Sequence, residues 1–278
     1  MYEFVKTMIS GLFIGTSGWS YPDEWSGVFY HKSSTLLQQY LTYFDTAEIN
    51  STFYALPRSN FIKHLSSAIT ESKFFTAKIP KAVTHDSRLD ISGEGGVVLE
   101  KYFELMHPMV DKIEALLIQL PPWPLNKMND FETFLSSLDP SFRYAVEFRD
   151  ESWLIPKVWS LLEKYNLAHV IVDEPKLPID LRVTSDFAYI RWHGHGKKPW
   201  FYYRYSLEEL EPWVSRIESI QDETKTILGY FNNHFQAYSP LNAFQMLQLL
   251  GEANKKQLSK LEHMLKHFST SQTTLFDF

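Results

Sequence analysis

Eight short β-rich runs alternate with amphipathic helical stretches from residue 12 to residue 268, and no linker or low-complexity run breaks the alternation. The strand candidates are residues 12–16, 46–50, 74–79, 115–120, 143–148, 169–173, 187–192 and 226–231. Between most of them, apolar residues recur at the 3.6-residue period over 34–44, 59–70, 97–113, 130–138, 156–165, 206–220 and 241–268. Ser59 and Asp130 read as N-caps, and Pro156 as a first-turn residue. Eight strands, all but one followed by a helical stretch, predict an α/β chain closed into a single (β/α)8 TIM-like barrel, a fold that uses about 250 residues. Segment 174–186 carries Pro175 and Pro178 and predicts no full helix, so the barrel is expected to be irregular after strand six. An open doubly wound sheet is the alternative, but it usually carries G-x-G-x-x-G after its first strand. Here that turn reads Gly15-Thr16-Ser17-Gly18-Trp19. The barrel takes residues 1–268, leaving 269–278 as a flexible tail.

The rest of the sequence narrows the class by exclusion. Apolar content of 44% and a net charge of −6 over 278 residues are those of a chain that folds. No run approaches the ~20 apolar residues needed to span a bilayer, so no membrane partner is expected. Zero cysteines exclude a disulfide scaffold, a thiolate nucleophile and an iron–sulfur cluster. The sequence implies no cofactor. The 33 acidic residues against 27 basic ones argue against a broad nucleic-acid-binding face, though not against a local basic pocket. Residues 1–10 include Glu3 and Lys6 and lack an apolar signal core, so a cytoplasmic protein is expected. Asn50-Ser51-Thr52 matches a glycosylation sequon and is read as a chance match.

Barrel enzymes carry their sites at the C-terminal ends of the strands, and these ends are polar here. They read Glu48-Ile49-Asn50, Glu147-Phe148-Arg149, Arg191-Trp192-His193 and Tyr230-Phe231-Asn232-Asn233. Residues two apart share a face of a strand, so Glu48 with Asn50, Glu147 with Arg149, Arg191 with His193 and Tyr230 with Asn232 are expected to face the axis. Lys78, Gln119 and Asp173 add a polar group from strands three, four and six. The plain alternative is an ion-pair network that closes the barrel mouth and does nothing more.

Several of these stretches together resemble the domain of unknown function 72 (YecE-like) family. They are Ile14-Gly15-Thr16-Ser17-Gly18-Trp19-Ser20-Tyr21, Trp25-Ser26-Gly27-Val28-Phe29-Tyr30, Ala47-Glu48-Ile49-Asn50-Ser51-Thr52-Phe53-Tyr54, Lys78-Ile79-Pro80 with Thr84-His85, and Gln119-Leu120-Pro121-Pro122. Ala145-Val146-Glu147-Phe148-Arg149 with Ser152-Trp153, Tyr189-Ile190-Arg191-Trp192-His193-Gly194 and Tyr230-Phe231-Asn232-Asn233 complete the set. The resemblance spans roughly residues 12–245. It implies a TIM-like barrel and leaves the activity open. Where the family commonly has a helix after strand six, this chain has only segment 174–186.

Three functions fit the polar cup. In the first, Glu48 and Glu147 form an acid–base pair of hydrolase or lyase type, one ionised beside cations and one kept protonated by burial, or His193 shuttles the proton instead. Arg191 and Lys78 then hold an anionic group such as phosphate. Asn50, Tyr54, Gln119, Arg149, Asp173, Tyr230, Asn232 and Asn233 complete the binding set. Trp19, Tyr21, Trp123, Trp153 and the 200–203 run offer rings for stacking, or simply pack the loops. In the second, Glu48, Glu147, Asp173 and His193 hold a metal for a nuclease reaction, against the repulsion of Lys78, Arg149 and Arg191. The third is a non-catalytic small-anion binder, and Gly15 to Gly18 offers a weak backbone nest. His85, His195 and His234 are expected to be solvated loop residues. The tail Gln272-Thr273-Thr274-Leu275-Phe276-Asp277-Phe278 resembles the peptide that docks on sliding clamps, with Gln272, Leu275, Phe276 and Phe278 as the contacts. That resemblance implies a sliding clamp as partner and work near DNA.

Overall fold

The inward-facing residues of the strands set what stands above them at the barrel mouth. In the computed structural model, which describes residues 11–31, 34–70, 72–197 and 199–273, eight parallel strands form one sheet. They are β1 (Leu12–Thr16), β2 (Thr46–Ile49), β3 (Phe74–Lys78), β4 (Ile113–Gln119), β5 (Tyr144–Glu147), β6 (Ala168–Asp173), β7 (Phe187–Trp192) and β8 (Thr226–Phe231). Their order around the sheet is β1-β8-β7-β6-β5-β4-β3-β2, so the chain winds a nearly closed (β/α)8 barrel. The expected fold is the one observed.

Closure between β1 and β2 uses a side chain. One bridge joins Ser17 to Glu48, with the Gly18 amide donating to the Glu48 carbonyl at 2.9 Å. Below it the Tyr40 hydroxyl takes the place of a ladder rung: the Thr16 amide donates to it at 2.9 Å, and it donates to the Thr46 carbonyl at 3.0 Å. Gly15 is required at this seam, since a Cβ there would lie 2.3 Å from the Thr46 carbonyl oxygen.

The inside of the barrel changes character along its axis. At the N-terminal end, Phe13, Phe74 and Phe187 pack against the small Ala115, Ala145 and Ala168, and large-against-small pairing fills the taper. Arg143 covers that end, with its guanidinium 4.2 Å from the Phe187 ring and paired to Glu114 and Asp186. Halfway up, Thr46 meets the Tyr230 hydroxyl at 2.7 Å and Thr76 meets the Tyr189 hydroxyl at 2.9 Å. At the C-terminal end the inward positions become charged.

Ten helices surround the strands among the described residues. They are α1 (Pro22–Trp25), α2 (Leu36–Leu41), α3 (Ser51–Tyr54), α4 (Ser59–Ala68), α5 (Glu94–Met106), α6 (Phe131–Ser136), α7 (Pro156–Lys164), α8 (Leu207–Ile220), α9 (Tyr238–Leu249) and α10 (Lys255–Thr273). Asp130 caps α6 as expected, accepting from the Glu132 amide. Ser59 does not cap α4: Arg58 holds that position and Ser59 is already helical. The long helix expected over 241–268 is two helices, separated at Gly251, which adopts φ +74°. The helix expected over 97–113 gives way at Pro108 to a tighter 3₁₀ run, His107–Lys112. Segment 174–186 holds no helix. Thr184 returns it to β6, accepting from the His169 amide at 2.8 Å and donating to the Leu167 carbonyl at 2.7 Å.

Residues 269–273, read from sequence as the start of a flexible tail, continue α10. The side chain of Gln272, with Leu275, Phe276 and Phe278, lies outside the described residues, so the clamp peptide does too. No helix among the described residues is long and apolar enough to cross a membrane.

Candidate functional site

The C-terminal ends of β2, β5 and β7 and the turn after β6 bring alternating charges into one chain across the mouth: Glu48, Arg191, Glu147, Arg149, Glu174. Arg191 is fully buried between the two carboxylates. Its Nη2 donates to Glu48 Oε1 at 2.7 Å and to Ser17 Oγ at 2.9 Å, and its Nη1 donates to Glu147 Oε2. Arg149 Nη1 donates to Glu147 Oε1 at 2.9 Å, and its Nη2 lies 3.1 Å from Glu174 Oε2. Further donors complete both inner acids. Tyr189 donates to Glu48 Oε2 at 2.7 Å and Ser17 to Oε1. Gln119 Nε2 donates to Glu147 Oε1 at 2.7 Å, while its Oε1 accepts from Lys78 at 2.9 Å.

These contacts fix the protonation states. Burial, the largest influence, raises both inner carboxyls, but the Arg191 guanidinium leads a set of opposing contacts that together outweigh it. Lys78 and Ser17 assist at Glu48, and His193 and Arg149 at Glu147, so Glu48 titrates below its ordinary range and Glu147 well below. Burial and then the Arg191 charge bring the Lys78 ammonium down to about 8. Burial also lowers His193 to about 4, against the pull of Glu147. His193 is therefore a neutral imidazole, with Asn232 Nδ2 donating to its Nδ1 at 3.0 Å and its Nε2 3.3 Å from Glu147 Oε1. Glu174 behaves differently. Burial raises its carboxyl, Arg149 only partly offsets this, and among the described residues no hydrogen bond reaches either oxygen.

A cavity of about 330 Å³ opens on this chain, lined by Arg149, His193, Asn232 and the loop residues Pro199, Trp200 and Phe201. The Trp200 ring lies 5.5 Å from the Arg149 guanidinium and 5.1 Å from the Lys176 ammonium. Phe201, His234 and Tyr21 stack in sequence at 4.6 and 4.5 Å. Beyond Tyr21, a more apolar cavity of about 440 Å³ is lined by Trp19, Asn50, Phe61 and His64 among others. Among the described residues no three His, Asp or Glu side chains are grouped to hold a metal ion. Arg191 occupies the place between Glu48 and Glu147 that a cation would need.

Residues 13–266 match the family described as "Protein of unknown function DUF72". The chain belongs to the DUF72 family. It is 25% identical over 272 residues to the UPF0759 protein YunF of Bacillus subtilis (strain 168), covering 86% of this chain and 94% of that protein. A DUF72 family protein from Thermotoga maritima MSB8 has a similar structure, with a TM-score of 0.75 at 27% identity over 87% of this chain and all of the other. One from Enterococcus faecalis V583 gives 0.73 at 20% identity, over 88% and 97% of the two chains. The family carries no established activity, so the site has to be read from its geometry.

Of the residues that sequence reasoning placed in this DUF72 mouth, Glu48, Asn50, Lys78, Gln119, Glu147, Arg149, Arg191, His193 and Asn232 do converge there. Others do not. Asp173 pairs in register with Trp192, whereas Val172 pairs with the inward Arg191, so Asp173 faces outward. It accepts from Trp213 at 3.3 Å and lies 2.7 Å from His195 Nε2. Asn233 is tied to the Tyr203 carbonyl and to Asn242, each at 2.8 Å. Tyr230 sits below the mouth on Thr46. Tyr54 is 74% exposed, its ring edge-on to Phe53. Gly15 to Gly18 offers no free nest, because the amides of Thr16, Ser17 and Gly18 are all taken up in closing the barrel. Trp153 is core. The three loop histidines are engaged with Thr84, Asp173 and Tyr21 rather than simply solvated. The scheme with one inner carboxyl protonated does not hold either, since both are saturated with donors. Sequence reasoning missed Ser17, Tyr189 and Glu174. The period-two rule reaches all three, because Ser17 follows Phe13 and Gly15, Tyr189 precedes Arg191, and Glu174 follows Val170 and Val172.

Proposed function

We propose that this barrel is an enzyme of hydrolase or lyase type that takes a small ligand carrying an anionic group at its mouth. Arg149 and Asn232 hold the anionic group, Glu174 is the general acid, and Lys78 is the proton acceptor. Glu48 and Glu147 act as fixed counter-charges that set the positions of Arg191 and Arg149. The observation that carries this reading is the burial-raised carboxyl of Glu174, without a hydrogen-bond donor among the described residues, set against Arg149, which lines the cavity. An anion arriving at Arg149 weakens the largest of the attractions that keep Glu174 ionised, ahead of Lys176 and Arg191, so binding favours its protonated form, able to donate. Lys78, at about 8, titrates near neutral pH, where a proton acceptor is most effective. Trp200 and the adjoining stacked rings exclude water from the step.

Turnover of a panel of phosphate- and carboxylate-bearing substrates tests it. With an active substrate, Glu174→Gln lowers kcat by roughly 10²–10⁴-fold with KM little changed, and Arg149→Met raises KM. A second reading, non-catalytic anion binding, is favoured by the saturation of Glu48 and Glu147, which leaves neither free for chemistry. Binding at Arg149 without turnover of any panel member selects it.

A further inference from the structure

A groove of about 630 Å³ lies on the outer wall, between the end of α2 and the first turns of α10, and it is lined by basic groups. The adjacent Lys255 and Lys256 at the start of α10 are followed by Lys260 and His263, four and three residues further on, and His31 and Tyr43 line the same groove. Lys260 is 5% exposed, with its ammonium 3.1 Å from the Val28 carbonyl, 3.3 Å from His31 Nε2 and against the rings of Phe29 and Tyr43. Among the described residues no carboxylate forms an ion pair with any of the three lysines. Glu262, on the same helix, is taken by Lys266 at 2.8 Å.

The contrast with the mouth is informative. There Arg191 and Arg149 each meet two carboxylates; here a buried ammonium meets a carbonyl, an imidazole and two rings. Burying an uncompensated charge is costly. In a chain of net charge −6, a cleft lined by one sign of charge concentrates the opposite ion. Burial lowers Lys260 to about 8, and the Lys260 charge lowers His31 in turn, as expected of a cationic set lacking its anion.

We propose that the α2–α10 groove is a binding site for a di- or triphosphate group, free or carried on a small molecule. Three ammonium groups lining one groove match an extended, multiply charged phosphate chain better than a single phosphate. The site is separate from the mouth and does not rest on the reading given for it.

Calorimetric titration of the full chain with inorganic pyrophosphate tests this. Arg149→Met removes the mouth's anion contact, and it is expected to bind pyrophosphate at the groove as tightly as the wild type. Lys260→Met weakens that binding at least tenfold. Because Lys260 is buried, the exposed double variant Lys255→Ala/Lys256→Ala provides a check free of folding effects, and it weakens binding severalfold. Orthophosphate binds much more weakly. A nucleoside diphosphate that binds tighter than pyrophosphate identifies an organic carrier, and equal binding identifies the free anion; both support the site. Affinity unchanged in both lysine variants, lost in Arg149→Met, or equal for orthophosphate and pyrophosphate overturns it.

Discussion

Arg191 and Glu147 depend closely on each other, since both are fully buried and neither has solvent to fall back on. Glu147→Ala removes the carboxylate shared by Arg191 and Arg149 and leaves a buried guanidinium half paired. The expected cost is about 3–5 kcal/mol, read from the urea midpoint at constant m-value; an unchanged midpoint contradicts the network. His193 gives the chain a pH signature. In the unfolded chain it takes a proton below about 6.5, and in the fold it stays neutral down to about 4. The unfolded state thus binds more protons, and stability falls as pH drops through that window by roughly 3 kcal/mol from this residue. His169, buried against Trp159 and also lowered by burial to about 4, adds to the same slope. Urea unfolding of His193→Gln is expected to show a shallower loss between these pH values, and an identical slope contradicts it. Alternation made the inward acids and arginines legible from sequence, but one misplaced parity put Asp173 where Glu174 stands. Sequence also could not show the protonation states, which depend on how many donors reach each oxygen.

The element that decides closure is the β1–β2 seam, which rests on one bridge and the Tyr40 hydroxyl rather than a full ladder. Tyr40→Phe leaves the Thr16 amide and the Thr46 carbonyl without that partner, at about 1–3 kcal/mol. Faster hydrogen exchange at Thr16, with the β7–β8 amides unchanged, is the expected local readout. Protection at Thr16 equal to the wild type contradicts the role given to the hydroxyl. Three strands, 12–16, 187–192 and 226–231, have the bounds their residue pattern implies, because β-rich runs with abrupt polar ends leave little ambiguity. The helical side was less legible. Apolar periodicity runs through Gly251 without a break, and only the left-handed turn there reveals that α10 folds back over α9. The seam hydroxyl was not legible at all, since nothing local marks Tyr40 as a substitute for a rung.

At the scale of the whole molecule, the barrel keeps an apolar floor, a hydroxyl layer at mid-height and a charged rim, so that charge concentrates where the loops open. Within the rim, Glu48, Arg191, Glu147 and Arg149 neutralise one another, and in the proposed function Glu174 is the group whose proton depends on what enters. The central claim is that an anion held by Arg149 shifts Glu174 toward its protonated form. The carboxyl of Glu174 can be titrated by carbon-13 NMR in the full-length protein, with sulfate added as a probe that does not itself titrate in this range. Its pKa is expected above the ordinary glutamate value without sulfate, to rise further as sulfate is added, and to stop responding in Arg149→Met. A Glu174 carboxyl that titrates at the ordinary value, or that ignores sulfate in the wild type, contradicts the account.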